Sequence, residues 1–261
     1  MPAYTLITGA SEGLGVEFAR LAARDGRHLI LAARSKDKME ALARRLRSDT
    51  VDVIVIPADL SDAAEVERLW SEATAEGRQI DVLVNNAGLG SNGDFADGQN
   101  WAREMSSINV NMLALTRLMK LAIPHMQAQP RGRILNVASV AGLMPGPNMA
   151  VYHATKAYVV SLSEAVAEEL RGTHVTVTAL CPGVTATNFF DDAGMRSAPV
   201  LKLAKPMDAA EVAEQGWLQA RIGKRVVVPG AMNKVFAFLP RITPRGVLTR
   251  VAAQIMGKTH E

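Results

Sequence analysis

Tyr152 and Lys156, four apart in the run YHATK, are a pair able to move a proton. On a helix that step leaves two side chains on one face, about 40° apart in azimuth. A phenol with a pKa near ~10 is a poor acid–base group at neutral pH, and a neighbouring ammonium favours its phenolate and pulls that value down. In isolation the same spacing describes an ordinary exposed helix pair. Ser139, thirteen positions earlier, gives the pair a setting, because it closes an apolar run and ligands of open parallel sheets bind beyond the carboxyl ends of the strands. A second feature is TGASEGLG, which places Gly9, Gly13 and Gly15 between an apolar run and a helical pattern. Glycines there let the backbone approach a pyrophosphate and leave helix N-terminal N–H groups free to receive its charge. The spacing is Gly-x3-Gly-x-Gly, not G-x-G-x-x-G, and a plain chain reversal would use the same residues.

Such residues need elements to hold them. Seven β-branched or aliphatic runs read as strands: 4–7, 28–33, 51–58, 80–85, 132–138, 174–181 and 225–230. Between them, helical periodicity covers 12–25, 37–47, 63–76, 101–127, 152–170 and 209–222. Near-continuous apolar strands alternating with helices imply a parallel sheet covered on both faces, built from right-handed βαβ crossovers. The expected fold is α/β: a single doubly wound, Rossmann-type domain with a seven-stranded parallel sheet. Residues 1–230 form the catalytic domain in this scheme, with an irregular substrate loop at 188–208, and 231–261 form a basic amphipathic extension packed on the same domain or at an interface.

Composition excludes several alternatives. With 48% hydrophobic and 21% charged residues over 261, the chain is neither disordered nor collagen-like. A lone cysteine, Cys181, closes no intrachain disulfide and builds no cysteine-rich metal site; it reads as a small buried hydrophobe. The five histidines do not pair at metal-ligand spacing, so no metal is expected, and His153 is expected to point off the face of Tyr152. The N-terminus shows no basic and apolar leader, and no apolar stretch reaches membrane-spanning length; a cytoplasmic protein is expected. Net charge is +3, with seven basic residues from Lys224 onward against Glu261 alone, which leaves −3 on the first 223 residues. No basic run is interleaved with aromatics, so nucleic acid is not an expected partner.

Four further motifs join the glycine turn: NNAG at 85–88, NVASVAG at 136–142, YHATK at 152–156 and CPGVTAT at 181–187. Their order and spacing resemble the short-chain dehydrogenase/reductase family over nearly the whole chain, and in particular its ketoacyl and carbonyl reductases. The resemblance implies a catalytic set of Asn111, Ser139, Tyr152 and Lys156. Within it, Ser139 hydrogen-bonds the substrate oxygen, Tyr152 gives or takes its proton, Lys156 also holds the nicotinamide ribose, and Asn111, chosen over Asn109 in INVNMLAL, anchors a water linking Lys156 to solvent. It further implies a cofactor site of Gly9, Ser11, Glu12, Gly13, Leu14, Gly15, Arg34, Ser35, Asp59, Leu60, Asn86, Ala87, Gly88, Tyr152, Lys156, Pro182, Gly183, Thr185 and Thr187. Asp59 would contact adenine, although a helix N-cap is the competing role. Asn85 is expected to brace the sheet. A serine that caps a turn and an asparagine that satisfies buried backbone are the ordinary roles for Ser139 and Asn111.

The second strand ends in LAARSKDK, with Ala33 where a carboxylate would select NAD(H); Arg34 there can pair bidentately with a 2′-phosphate. NADP(H) is therefore expected over NAD(H), although Glu12 inside the glycine turn argues the other way. Apolar and Met-rich residues at 142–151, with Phe189, Phe190, Met195, Val200, Leu201 and Leu203, suit a hydrophobic ketone or secondary alcohol, of acyl, aromatic or steroid-like form. Core packing is the competing role for these residues. Arg196, Lys202 and Lys205 would either meet a carrier's phosphates or be solvated. The alternatives kept beside an NADP-dependent reductase are an NAD-dependent dehydrogenase working in the oxidising direction and a non-catalytic dinucleotide sensor, which would have no need of a proton donor. A homodimer or homotetramer paired through 101–127 and 152–171 follows from the resemblance. In the tail, Pro240 and Pro244 are expected to divide 233–258 into two short amphipathic helices that cover the substrate entrance or an interface, with contact to an anionic membrane surface the less favoured use.

Overall fold

Predominantly aliphatic runs can be buried on both sides, and seven of them form the sheet of this computed structural model, which describes residues 3–98, 100–194 and 205–256. The strands are β1 Ala3–Thr8, β2 His28–Ala33, β3 Val53–Pro57, β4 Gln79–Asn85, β5 Gly132–Val137, β6 Val175–Leu180 and β7 Val226–Val227. They pair in parallel in the order β3-β2-β1-β4-β5-β6-β7. The chain therefore builds outward from β1, then crosses back to β4 and builds the other way. The topological switch lies between β1 and β4, where a ligand crevice opens in such sheets.

Alternate residues of each strand enter different layers. Leu6, Ile30, Leu83 and Ile134 join one core with α3 (Ala63–Ala73), α5 (Leu115–Gln127) and α6 (Ala150–Glu169). Ile7, Leu31, Val84 and Leu135 join the other with α1 (Gly13–Arg24), α2 (Lys36–Leu46) and α8 (Ala209–Arg221). Polar anchors fix the register near the crevice. Asn85 Nδ2 donates to Asn136 Oδ1 (2.9 Å) across β4 and β5, and Asn136 Nδ2 donates to Ser163 Oγ (2.9 Å) on α6. Asn85 thus braces the sheet as expected, and the chain of bonds ties β5 to the helix carrying Tyr152.

Three local expectations are corrected. The helix anticipated over 101–127 is α4 (Trp101–Ile108) and α5, joined by a π-helical stretch, Asn109–Ala114. The strand at 225–230 pairs only over β7, since Pro229 has no N–H to donate and Gly230 turns the chain at φ 83°. In the tail, α9 (Ala231–Ile242) runs through Pro240, and only the Thr243–Pro244 step separates it from α10 (Arg245–Met256). Pro240 removes only the bond its own N–H would give Phe236 O, and Thr243 N–H still reaches Leu239 O (3.0 Å). The irregular 188–208 segment opens with one short helical turn, α7 (Phe189–Asp192). Its base is closed by Thr185 pairing with Met207, where Ala186 N–H donates to Met207 O and Met207 N–H to Val184 O, both 2.9 Å. Met195, Arg196, Val200, Leu201, Lys202 and Leu203 lie outside the described residues, as does the Phe190 side chain; Lys205 is exposed.

Candidate active site

At the carboxyl ends of the central strands the molecule opens into a cleft of about 360 Å³. One end is lined by Arg34, Ser35 and Lys38 with Ala58, Asp59 and Leu60; the middle by Gly9, Ser11, Glu12, Gly13 and Leu14 with Asn86, Ala87 and Gly88; the far end by Ser139, Tyr152 and Lys156 with Pro182, Gly183, Thr185 and Thr187. Nearly all the sequence-predicted cofactor residues therefore share one surface.

The glycine turn has the shape for a pyrophosphate cradle. Gly9 and Gly13 adopt φ of 64° and 56°, and a Cβ on Gly9 would stand 2.9 Å from Ala87 Cα. Gly13 opens α1, so the helix's first N–H groups and positive dipole end face the cleft. Two members of the predicted set do something else. Gly15 does not line the cleft: a Cβ there would meet Gly9 O at 2.2 Å, so its role is close packing of helix against turn. Asn86 borders the cleft, but its Nδ2 donates to Thr8 O (3.0 Å) and Gly9 O (3.1 Å), clamping the turn. Thr8, which sequence spacing did not single out, completes the clamp by accepting the Asn86 and Ala87 N–H groups on Oγ1 (3.0 and 3.1 Å).

Electrostatics at the first end also differ from expectation. Glu12 accepts from Lys38 Nζ (3.2 Å) and Asn188 Nδ2 (3.3 Å), so its charge is matched by a lysine four residues after Arg34, on the first turns of α2. That lysine was legible from the helical step. Asp59 is not the helix cap; Asp62 caps α3, accepting from Ala64 N–H (2.8 Å). Asp59 instead folds onto Ser61, whose N–H and hydroxyl hold its carboxyl below the usual range, with Arg34 adding to the effect.

At the far end, α6 presents Tyr152 and Lys156 to the cleft, both buried. Ser139 lies two residues beyond the end of β5 and caps the one-turn 3₁₀ helix Val140–Leu143, its Oγ accepting from Ala141 N–H (3.1 Å) and donating to Pro182 O (3.4 Å). Lys156 Nζ donates to Val137 O (2.8 Å) and lies 5.9 Å from the Tyr152 ring centroid. The Tyr152 pKa, expected to be depressed, is raised instead. Burial pushes the phenol up to about 12, against a smaller opposite effect of the Ser139 hydroxyl, and burial pushes Lys156 down to about 8.

Asn111 is fully enclosed one layer behind the cleft wall. Its Oδ1 accepts Leu89 N–H (2.9 Å) and its Nδ2 donates to Leu89 O (2.8 Å) and to Thr155 Oγ1 (3.0 Å). Thr155 in turn donates to Tyr152 O (2.8 Å), so the π turn carrying Asn111 positions the start of α6. Gly88 sits between Asn111 and Lys156; a Cβ there would lie 3.4 Å from Asn111 Oδ1 and 3.3 Å from Lys156 Nζ. Asn109 points elsewhere, donating to Ser61 O (3.1 Å).

The wall around Tyr152 is apolar. Met144, Met149 and Phe189 line it, and the Phe189 and Tyr152 rings lie 5.2 Å apart. His153, expected to turn away, instead borders the cleft with its Nδ1 bonded to Met144 O (2.9 Å), and burial holds its pKa below the ordinary value. Cys181 is buried, and burial pushes its thiol up to about 12, consistent with an inert packing role.

Gly142 is a positioning residue that motif reading passed over. A Cβ on it would stand 2.5 Å from Lys156 O and 2.6 Å from Lys156 C, and helix backbone cannot give way. Gly142→Ala is expected to push the Val140–Leu143 turn off α6, separating Ser139 from Tyr152, and to lower kcat about 10–100-fold, the scale of a misplacement near 1 Å. Turnover of the variant, with thermal unfolding as the check on folding, measures this.

The model of the short chain dehydrogenase family matches residues 3–196. The chain is 34% identical to ketoacyl reductase HetN of Nostoc sp. over 206 residues, which is 78% of this chain and 71% of that protein. A solved short-chain dehydrogenase from Sphingobium yanoikuyae in complex with NADPH has a TM-score of 0.80 at 31% identity, covering 94% of this chain and 97% of that one. A short-chain dehydrogenase/reductase from Burkholderia phymatum in complex with NAD has a TM-score of 0.80 at 26% identity, covering 91% and 92%.

Proposed function

This chain belongs to the short chain dehydrogenase family, and on that premise we propose that it is an NADP(H)-dependent oxidoreductase acting on a hydrophobic ketone or secondary alcohol of 3-oxoacyl, aromatic or steroid-like form. The observation that carries the proposal is the convergence of Ser139, Tyr152 and Lys156 in one cleft that ends in Met144, Met149 and Phe189 on one side and in Arg34 and Lys38 on the other. A nicotinamide bound there supplies or accepts the hydride. The substrate oxygen needs a proton and a fixed dipole as its charge develops. In ketone reduction Tyr152 donates its hydroxyl proton to that oxygen, and Ser139 donates a hydrogen bond to it. Lys156 holds the nicotinamide ribose and its ammonium favours the phenolate left behind. Asn111, beside Lys156 across Gly88, anchors the water that returns a proton from solvent. The first N–H groups of α1 and Thr187 take the phosphates, Asp59 and Leu60 flank adenine, and Pro182, Gly183 and Thr185 border the nicotinamide. Arg34, Ser35 and Lys38 take the 2′-phosphate. The working protein on this proposal is a cytoplasmic homodimer or homotetramer, paired through the 101–127 and 152–171 helices, where Trp101 and Leu113 are exposed.

Initial rates with 3-oxoacyl thioesters, aromatic ketones, steroid ketones and the matching alcohols, each with both cofactors, test this. A large apolar ketone reduced fastest with NADPH is the expected result. A small polar ketone as best substrate overturns the substrate class, and no turnover with any of them overturns the enzymatic role.

A further inference from the structure

Helix α9 turns its small residues toward the body of the protein and its large apolar ones away. Asn233, Ala237 and Pro240 are partly buried, and Asn233 Nδ2 donates to Pro229 O (2.9 Å). Met232, Val235, Phe236, Phe238, Leu239 and Ile242 are all exposed, from 39% to 66%. At 100° per residue these six fill one unbroken arc of about 160°, the reverse of a helix that buries its apolar face in its own core. Lys234 and Arg241 run along one edge of the arc, and α10 adds exposed Val247 and Val251 with Arg245 and Arg250. Across 231–256 there are four basic residues and no acidic one.

Charge decides what covers this face. A second copy seated by two-fold symmetry would set four cations against the same four, with no acid in either segment to pair them. An anionic bilayer complements both parts at once, its headgroups meeting the guanidinium and ammonium groups while the acyl boundary takes the aromatic and aliphatic arc. No helix among the described residues is long and apolar enough to cross a membrane, so the contact is peripheral. We propose that α9 and α10 form a docking surface for an anionic lipid bilayer. Helix α9 packs on the Val140–Leu143 turn, whose Ala141 lines the cleft, so docking holds the apolar end of the cleft near the lipid. The docking stands apart from the substrate and cofactor proposed above.

Co-sedimentation of the full chain with vesicles tests it, using equimolar phosphatidylcholine and phosphatidylglycerol against phosphatidylcholine alone, with NADPH binding as the control for an intact cleft. The chain is expected to pellet with the anionic vesicles and to be released by high salt. The double variant Phe236→Glu, Phe238→Glu is expected to lower the bound fraction about tenfold or more, and Lys234→Glu with Arg241→Glu to remove the preference for anionic lipid. Wild type left in the supernatant overturns the proposal. So does a Phe236→Glu, Phe238→Glu variant that changes oligomeric mass in sedimentation velocity while binding vesicles as before, because the face is then a subunit interface.

Discussion

Tyr152→Phe is expected to lower turnover about 10²–10⁴-fold, the usual contribution of a positioned acid or base, while the dissociation constant for NADPH stays within a few-fold. The hydroxyl is the one atom lost. The ring keeps its place against Phe189 at 5.2 Å and its relation to Lys156 at 5.9 Å, so the cleft retains its shape. Burial raises the Tyr152 pKa to about 12, so at neutral pH the phenol carries the proton that ketone reduction consumes. Lys156 sets the pH dependence. With its pKa lowered to about 8, its ammonium is present below that pH and is lost as pH rises through it. The kcat/KM for reduction, which reports the free enzyme, is expected to be level below about 8 and to fall above it. A Tyr152→Phe enzyme within tenfold of wild type would remove Tyr152 from the proton path.

What the sequence made legible was whatever depends on direction within one element. The strands follow from near-continuous apolar runs, the glycine turn from its place after the first of them, and the shared face of Tyr152 and Lys156 from a step of four residues. Burial of Tyr152 was not legible, because Phe189 and Ala193, close in space but distant in the chain, complete what neighbouring Met149 begins. The sign of its pKa shift was misread for that reason: an adjacent ammonium was visible in YHATK and the loss of solvent was not. Asn111 was implied by the family resemblance alone, and its contacts with Leu89 and Thr155 come from a π turn that helical periodicity does not announce. Gly15 and Gly142 share a cause. Each is glycine because backbone passes within 2.5 Å of where its Cβ would be, and nothing in the local sequence distinguishes that from a ligand contact.

Cofactor choice turns on one end of the cleft, and Arg34→Asp is expected to shift the NADPH to NADH ratio of kcat/KM toward NADH by about 10²–10³-fold. Arg34 and Ser35 follow β2 directly and line the cleft, where the competing carboxylate position is Ala33. Glu12 looked like an obstacle to a 2′-phosphate in the sequence, but Lys38 holds it at 3.2 Å and also lines the cleft, and Asp59 is turned onto Ser61, so Arg34 is the cation left to meet the phosphate. The Lys38–Glu12 pair is exposed and therefore weak, which leaves Lys38 free to move to an arriving phosphate. The substitution acts twice, removing a bidentate partner of the phosphate and putting a like charge in its place. Arg34→Leu removes only the attraction and is expected to shift the ratio about 10–100-fold, so the difference between the two variants measures the repulsion. The check is kcat/KM for each cofactor at saturating ketone. If wild type itself prefers NADH, the lysine does not neutralise Glu12 in the complex, and the carboxylate in the glycine turn governs the choice.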